Sequence, residues 1–126
     1  MDATTRDPAA FLPLTQAEFQ IMLALAEAEM HGYGIMQEIA ARAGYHARLG
    51  PATLYRSLRR LLEADLIAEA EDRPDPAVDD ERRRYYRLTP LGRQVARAEV
   101  ERLKQLVSEA YRTELMYECP GEAGKR

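Results

Sequence analysis

The segment Gly50–Leu62 most constrains the fold, because its residues divide between the two sides of one helix. At about 100° per residue, one side collects four leucines: Leu54, Leu58, Leu61 and Leu62. The other side carries Ala52, Arg56, Arg59 and Arg60, with Thr53 at its margin. No acidic residue lies between Arg48 and Arg60, although the formal net charge is −3. The pattern predicts a helix seated on a hydrophobic core with an arginine face directed outward.

Such a helix fits the major groove of DNA, where base edges accept hydrogen bonds from guanidinium groups. Thr53 and Arg56 lie near the N-terminus of the helix and are expected to reach base edges. Arg59 and Arg60 lie further along and are expected to contact phosphates. The alternative is a solvated face, which is less favoured because no Glu or Asp lies four residues upstream to pair with these arginines.

Tyr55 lies at the edge of the apolar face. Its ring is expected to pack under the helix while its hydroxyl reaches a phosphate, and a purely structural role is about equally favoured. Thr53, Tyr55, Arg56, Arg59 and Arg60 therefore form the predicted DNA-binding set on this helix.

Composition and length are those of one soluble domain. The 126 residues are 31% charged and 46% hydrophobic, which allows a single modest core. There is no apolar run of the roughly 20 residues that a membrane span needs and no signal-peptide pattern, so we expect a cytoplasmic protein without a membrane partner. A single cysteine, Cys119, excludes an intramolecular disulfide.

Charge is segregated along the chain. The pI near 5.5 argues mildly against nucleic acid as a partner. However, a second group of arginines has no acid between its members: Arg82, Arg83, Arg84, Arg87, Arg93 and Arg97. The acids concentrate in residues 69–81 and towards the C-terminus, so a local positive surface is compatible with the negative total.

The chain before this helix predicts an arm and two helices. Residues 1–13 are expected to form a flexible arm. Thr15 and Glu18 match a capping box that starts a helix running to about Ala28. Its expected buried residues are Phe19, Met22, Leu23 and Ala26. After a break at residues 31–34, a second helix is expected from about Gly34 to Ala43, burying Ile35, Ile39, Ala40 and Ala43.

The chain after the arginine-faced helix predicts a hairpin and a long helix. The helix is expected to end near Asp65, a residue type that tolerates the left-handed conformation. Residues 66–70 and 83–88 are β-compatible runs around a mobile tip rich in Pro and Asp, from Arg73 to Asp80. Thr89 and Pro90 can cap and begin a helix to about Tyr117. This order predicts a mainly α fold with a small β-hairpin: a winged helix-turn-helix over residues 14–89, a C-terminal dimerisation helix over 90–117, and a flexible tail over 118–126.

One broad apolar stripe runs along the last helix: Val95, Val100, Leu103, Leu106, Val107, Ala110 and Tyr111. A short chain cannot bury the whole stripe against itself, so a second copy of the chain is the expected partner. Packing on the first helix of the same chain is the alternative, and the two can share the stripe. A homodimer would place two recognition helices one DNA turn, roughly 34 Å, apart on a palindromic site.

Several segments together resemble the PadR family of bacterial transcriptional regulators. They are Leu14-Thr15, Gly32-Tyr33-Gly34-Ile35, Pro51-Ala52-Thr53-Leu54-Tyr55 with Leu58 and Leu61, Leu66-Ile67, and Arg84-Tyr85-Tyr86-Arg87-Leu88-Thr89-Pro90-Leu91-Gly92. The single last helix resembles the shorter subgroup. Ala52 and Asp65 depart from the family pattern, since glycine is frequent at both positions.

The resemblance implies a repressor whose third helix enters the major groove. It also implies a wing that touches DNA backbone or minor groove, and a homodimer built by the last helix. On the wing, strand alternation places Arg82 and Arg84 on one face and Arg83 on the other, so Arg82 and Arg84 are the candidate DNA contacts. The neighbouring acids Asp79–Glu81 are expected to neutralise part of this patch.

Other functions have less support in the sequence. His31, His46 and Cys119 do not form a metal cluster by number or spacing, and we expect no metal or cofactor. The sequence contains no nucleophile motif and no Gly-rich phosphate-binding loop, so we do not expect an enzyme. Tyr33, Tyr111 and Tyr117 either line a site for a small aromatic or amphiphilic effector or pack in the core. The alternative function is a winged-helix effector-binding or protein-interaction module without DNA binding, in which acids or apolar residues would replace the arginine face.

Overall fold

The computed structural model describes residues 6–43, 49–70 and 84–117. A 3-10 helix, Pro8–Phe11, precedes α1 (Gln16–Glu27), β1 (Met30–His31), α2 (Gly32–Ala43), α3 (Pro51–Glu63), β2 (Ile67–Glu69), β3 (Tyr85–Leu88), α4 (Pro90–Tyr111) and a final 3-10 helix, Glu114–Tyr117. The three strands form one antiparallel sheet in the order β1-β3-β2. This is the mainly helical fold with a small hairpin that the sequence predicted.

Helix α1 begins at the predicted capping box, but its buried face only partly matches the predicted one. The Thr15 Oγ1 atom accepts from the Glu18 amide at 3.0 Å, and Glu18 Oε1 accepts from the Thr15 amide at 2.9 Å. The buried apolar residues are Ile21, Met22, Ala24 and Leu25, whereas Phe19 and Leu23 are only half-buried and Ala26 is exposed. Met22 is buried as predicted, but the rest of the buried stripe is shifted because α1 packs against α2, α3, α4 and β3.

Strand β1 was not predicted, and it moves the start of α2. Met30 pairs with Tyr86 and His31 with Tyr85. Helix α2 therefore begins at Gly32 instead of near Gly34, and the Gly34 amide donates to His31 Nδ1 at 3.0 Å in its first turn. Two residues are too few to show a strand periodicity, so only the pairing with β3 reveals this element.

Residues 6–13 do not form the predicted arm. Asp7 caps the 3-10 helix by accepting from the Ala9 amide at 3.0 Å, and this helix packs against α4. Phe11 and Leu12 pack against the core. The two apolar side chains make burial of the segment favourable, which the prolines and threonines around them obscured. Residues 1–5 and the predicted tail, 118–126, lie outside the described residues.

Helix α4 ends at Tyr111, six residues before the predicted end. The Thr113 hydroxyl donates to the Ala110 carbonyl at 2.7 Å and accepts from the Leu115 amide at 3.1 Å. The Arg112 and Thr113 amides bond to carbonyls three residues back, those of Glu109 and Ala110. A threonine side chain that competes for backbone groups favours such a tightened end, and the chain continues as a 3-10 helix.

The end of α3 is joined to the start of α4 by backbone and hydroxyl contacts. Asp65 has the predicted left-handed conformation, with φ 65°. The Thr89 hydroxyl donates towards the Asp65 and Leu66 carbonyls at 2.7 and 3.1 Å, and the Thr89 amide donates to the Leu66 carbonyl at 3.1 Å. Gly92 packs directly on the same carbonyl: a Cβ atom added there would lie only 1.9 Å from the Leu66 oxygen. The position of α4 is therefore fixed relative to α3.

Glu99 is a buried carboxylate on α4. It accepts from Arg102 Nε at 2.6 Å, from Arg102 Nη2 at 2.9 Å and from the Leu14 amide at 3.3 Å. These bonds, led by those from Arg102, hold the pKa of Glu99 below its ordinary value of 4.5 despite burial. Glu99 thereby attaches the segment before α1 to α4.

Because the folded-state pKa of Glu99 is lowered, its contribution to stability is present above the unfolded pKa, about 4.5, and is lost as pH falls through the folded value. We expect Glu99→Gln to be less stable than the wild type at neutral pH and to lose less stability on acidification. Urea unfolding at a series of pH values from neutral to below 4 measures both. Equal acid sensitivity of the two proteins would contradict this role.

Candidate nucleic-acid interface

Helix α3 is seated on the core by the face that the sequence predicted. Leu54, Leu58 and Leu61 are buried, together with Ser57, while Leu62 is half-buried. Pro51 occupies the first turn, where its missing amide hydrogen costs no helical bond. The remaining face is exposed over its length: Pro51, Ala52, Tyr55, Arg56, Arg59, Arg60 and Glu63.

The three arginines of α3 differ in their electrostatic surroundings. Arg56 and Arg59 are exposed and have no ion pair with any residue in the described ranges. Arg60 lies with its Nε atom 3.4 Å from Glu18 Oε2, a carboxylate supplied by α1. The expectation of three uncompensated arginines was therefore wrong for Arg60, because its partner lies on α1, far from α3 in sequence.

Tyr55 connects α3 to the start of α2. A Cβ atom added at Gly32 would lie 2.8 Å from the Tyr55 hydroxyl oxygen and 3.2 Å from two ring carbons, so the ring rests on this glycine. Tyr55 is 38% exposed and Tyr33, next to Gly32, is 59% exposed. Thr53 is half-buried at the margin. Tyr33 was predicted to pack in the core or to line an effector site, and its exposure shows that it does not pack in the core. In the sequence, Gly32 was the signal for the contact between Tyr55 and the start of α2.

Of the two wing arginines among the described residues, Arg84 is paired with a carboxylate. Arg84 Nη1 lies 2.8 Å from Glu69 Oε2 on the neighbouring strand. Arg87 is exposed opposite Ala68 in the β2–β3 register. Arg82, Arg83 and the predicted tip, Arg73–Asp80, lie outside the described residues. Tyr86 of β3 is buried, and this burial, followed by the Glu69 carboxylate, raises the pKa of its phenol above the ordinary value of 10.0.

The apolar stripe of α4 is divided between the chain's own core and the surface. Val95 is fully buried in the core of its own chain, so it is not available to a second copy. Leu103 and Ala110 are half-buried. The remaining members of the stripe are exposed: Val100, Leu106, Val107 and Tyr111. The exposed fraction reaches 54% at Val107 and 58% at Tyr111. Leu115 and Met116, which follow α4, are also exposed.

Comparison with known proteins identifies the family. The model of the Transcriptional regulator PadR-like family matches residues 21–98, which is more than half of the chain. The protein belongs to the PadR-like family. The matched region runs from α1 to the middle of α4, and so includes the arginine face, the wing and the joint at Gly92.

Relatives of known sequence or structure agree with membership of the PadR-like family. The transcriptional regulator Rv3488 of Mycobacterium tuberculosis is 42% identical, over 67% of this chain and 72% of its own. A PadR-like transcription factor from Bacteroides fragilis is 27% identical, with a TM-score of 0.56 over 75% of this chain and 85% of that one. A PadR family regulator from Clostridium difficile, 21% identical, shares the fold with a TM-score of 0.64 over 76% and 95%.

PadR-like regulators bind DNA and are not enzymes. No helix in the described parts of this chain is long and apolar enough to cross a membrane. The same residues hold no group of three or more His, Cys, Asp or Glu placed to bind a metal ion. His46 and Cys119 lie outside the described ranges.

Proposed function

We propose that this PadR-family regulator is a repressor that binds a palindromic operator as a homodimer, with α3 in the major groove. The observation that carries this proposal is the exposed face of α3, where Arg56 and Arg59 have no ion pair within the described residues although acids outnumber bases in the chain. The buried leucines on the opposite face hold this helix rigidly on the core. A rigid helix that offers guanidinium groups is suited to read base edges.

Homodimerisation is supported by the exposed apolar surface of α4. Val100, Leu106, Val107 and Tyr111 project from one helix without cover from the described part of the same chain. Contiguous apolar surface of this kind favours association, and pairing between identical helices is the simplest way to cover it. Two copies would present two recognition helices to half-sites about one DNA turn apart.

The side chains of α3 have different roles in the proposal. Thr53 and Arg56, closest to the N-terminus of α3, read base edges, whereas Arg59 and Arg60 contact phosphates. The Tyr55 ring and hydroxyl lie against Gly32 at the start of α2, and in the proposal the hydroxyl contacts a DNA phosphate from that position. Arg84 takes part from the wing only if DNA competes with Glu69 for its guanidinium.

Ligand response is a separate part of the proposal. A small aromatic or amphiphilic effector near Tyr111 would favour a dimer whose recognition helices no longer match the groove spacing, which is a shift between two populated arrangements. Tyr111 supports this idea through its exposure at the end of the α4 stripe. Tyr33 does not, since it lies beside Gly32 at the start of α2, near the proposed DNA surface.

The test compares two arginines of the same helix. We expect Arg56→Ala to weaken operator binding roughly tenfold or more and to relax selectivity at one base pair of each half-site, because a good base contact is worth about 1–3 kcal/mol. We expect Arg59→Ala to weaken binding to all sequences equally and to reduce the salt dependence by about one released ion per subunit.

Operators are first obtained by selecting bound fragments from genomic DNA. Fluorescence anisotropy with the selected operator, single-base variants and an unrelated duplex, each across a salt series, then measures both substitutions. A wild-type protein that shows neither sequence preference nor salt-dependent binding would disprove the function and favour a winged module without DNA binding. Unchanged selectivity in Arg56→Ala would disprove only the base-reading role of Arg56.

A further inference from the structure

Glu18 is a buried carboxylate directly behind the proposed DNA-binding face. Its side chain is 10% exposed, whereas the Arg60 side chain that it faces is 60% exposed. Glu18 Oε1 is occupied by the Thr15 amide at 2.9 Å, and Glu18 Oε2 lies 3.4 Å from Arg60 Nε. The capping box therefore fixes one oxygen and leaves the other facing the arginine.

This geometry reduces the net positive charge that Arg60 presents to a DNA phosphate. The carboxylate faces the Nε edge of the guanidinium, and the Arg60 side chain has no other ion pair or hydrogen bond among the described residues. A phosphate that approaches Arg60 meets a positive charge with a negative charge held close behind it. Arg59, one residue earlier on α3, has no such neighbour in the described ranges. Two adjacent arginines of the same helix are thus unequal in their attraction for phosphate.

We infer that Glu18 is an internal counter-ion that limits the affinity of this surface for the phosphate backbone. The inference rests on the proposed function, since it requires α3 to face DNA. Sequence-independent binding arises almost entirely from neutralisation of phosphates by Lys and Arg. By offsetting the charge of Arg60, Glu18 keeps that contribution small, so that Arg56, which reads bases, supplies a larger share of the binding free energy.

Glu18→Gln tests this because it removes the charge and keeps an oxygen that can accept from the Thr15 amide. We expect affinity for operator and unrelated duplex to rise by roughly three- to tenfold at moderate salt, and the salt dependence to increase by about one ion per subunit. Thermal unfolding, measured on the same preparations, shows whether the cap has been retained. In an Arg60→Gln background, the gain from Glu18→Gln should fall to less than half.

A second comparison leaves α1 untouched. Arg60→Gln alone should weaken DNA binding less than Arg59→Gln, because Arg60 is already partly neutralised. An equal or larger loss for Arg60→Gln would overturn the inference. So would an unchanged or lower affinity in folded Glu18→Gln, or a gain that is undiminished in the Arg60→Gln background. Salt-dependent operator binding by the wild type establishes the proposed function separately, so failure of the counter-ion role would leave that function intact.

Discussion

Gly92→Ala is expected to destabilise the protein by about 2–4 kcal/mol, because among the described glycines an added methyl group meets its closest contact at this position. The added Cβ would lie 1.9 Å from the Leu66 carbonyl oxygen and 2.9 Å from its carbon. These are backbone atoms, which cannot rotate away as a side chain would. Relief requires separation of α4 from the end of α3.

Separation is costly because the same carbonyl is a hydrogen-bond acceptor. The Thr89 amide and hydroxyl both donate towards the Leu66 oxygen at 3.1 Å, and the Gly92 amide donates to the Thr89 hydroxyl at 2.9 Å. A shift that relieves the clash would weaken these bonds in a region where Leu66, Leu88 and Val95 are buried. The expected cost therefore combines overpacking with strained hydrogen bonds.

Urea or thermal unfolding measures the effect, with Gly34→Ala as the matched control. An added Cβ at Gly34 would have its nearest neighbour 3.5 Å away, at the His31 ring, which is ordinary contact. Since Gly34 lies within α2, alanine there should leave stability unchanged or raise it by up to about 1 kcal/mol. If Gly92→Ala were as stable as Gly34→Ala, the contact between Gly92 and the Leu66 carbonyl would accommodate the added methyl group, and the prediction would be wrong.

The second large effect is expected from two charges placed on the exposed stripe of α4. Leu106→Glu combined with Val107→Glu should convert the proposed dimer into a folded monomer and weaken operator binding by about 100-fold or more. The two side chains are 48% and 54% exposed within one chain, so the substitutions should leave the monomer's core intact. Operator affinity falls because each half-site must then be bound independently, without the effective concentration that a dimer provides.

Light scattering and anisotropy on the selected operator measure association and binding. Ser108→Glu is the control, since it adds a carboxylate to an exposed position of the same helix outside the apolar stripe. We expect Ser108→Glu to remain dimeric and to bind DNA with an affinity within a few-fold of the wild type. A Leu106→Glu, Val107→Glu protein that stays dimeric would place the subunit interface elsewhere, and a wild type that is monomeric at micromolar concentration would exclude the dimer.

Local rules of sequence were enough to predict most helix boundaries. The capping box of Thr15 and Glu18, the first-turn prolines Pro51 and Pro90, and the left-handed Asp65 each act within a few residues of chain. Such effects depend on neighbours in sequence, so a single sequence reveals them. They failed at the end of α4, where the Thr113 side chain captures backbone groups at a position without a glycine or proline signal.

Faces and charges that depend on packing between elements were predicted less well. The buried stripe of α1 was misplaced, because four other elements surround this helix and broaden its buried surface. Phe11 and Leu12 were assigned to an arm, because their contact with the core is made by distant residues. Strand β1 was missed because its hydrogen bonds are made with β3, more than fifty residues away.

Helical periodicity places leucines on one side of α3 and arginines on the other, so this division can be predicted from the residues alone. Which of those arginines lies beside a carboxylate depends on how the helices pack. Arg60 and Glu18 are forty-two positions apart and approach to 3.4 Å only because α1 and α3 pack together. Coulomb interactions depend on distance in space, and the fold sets that distance.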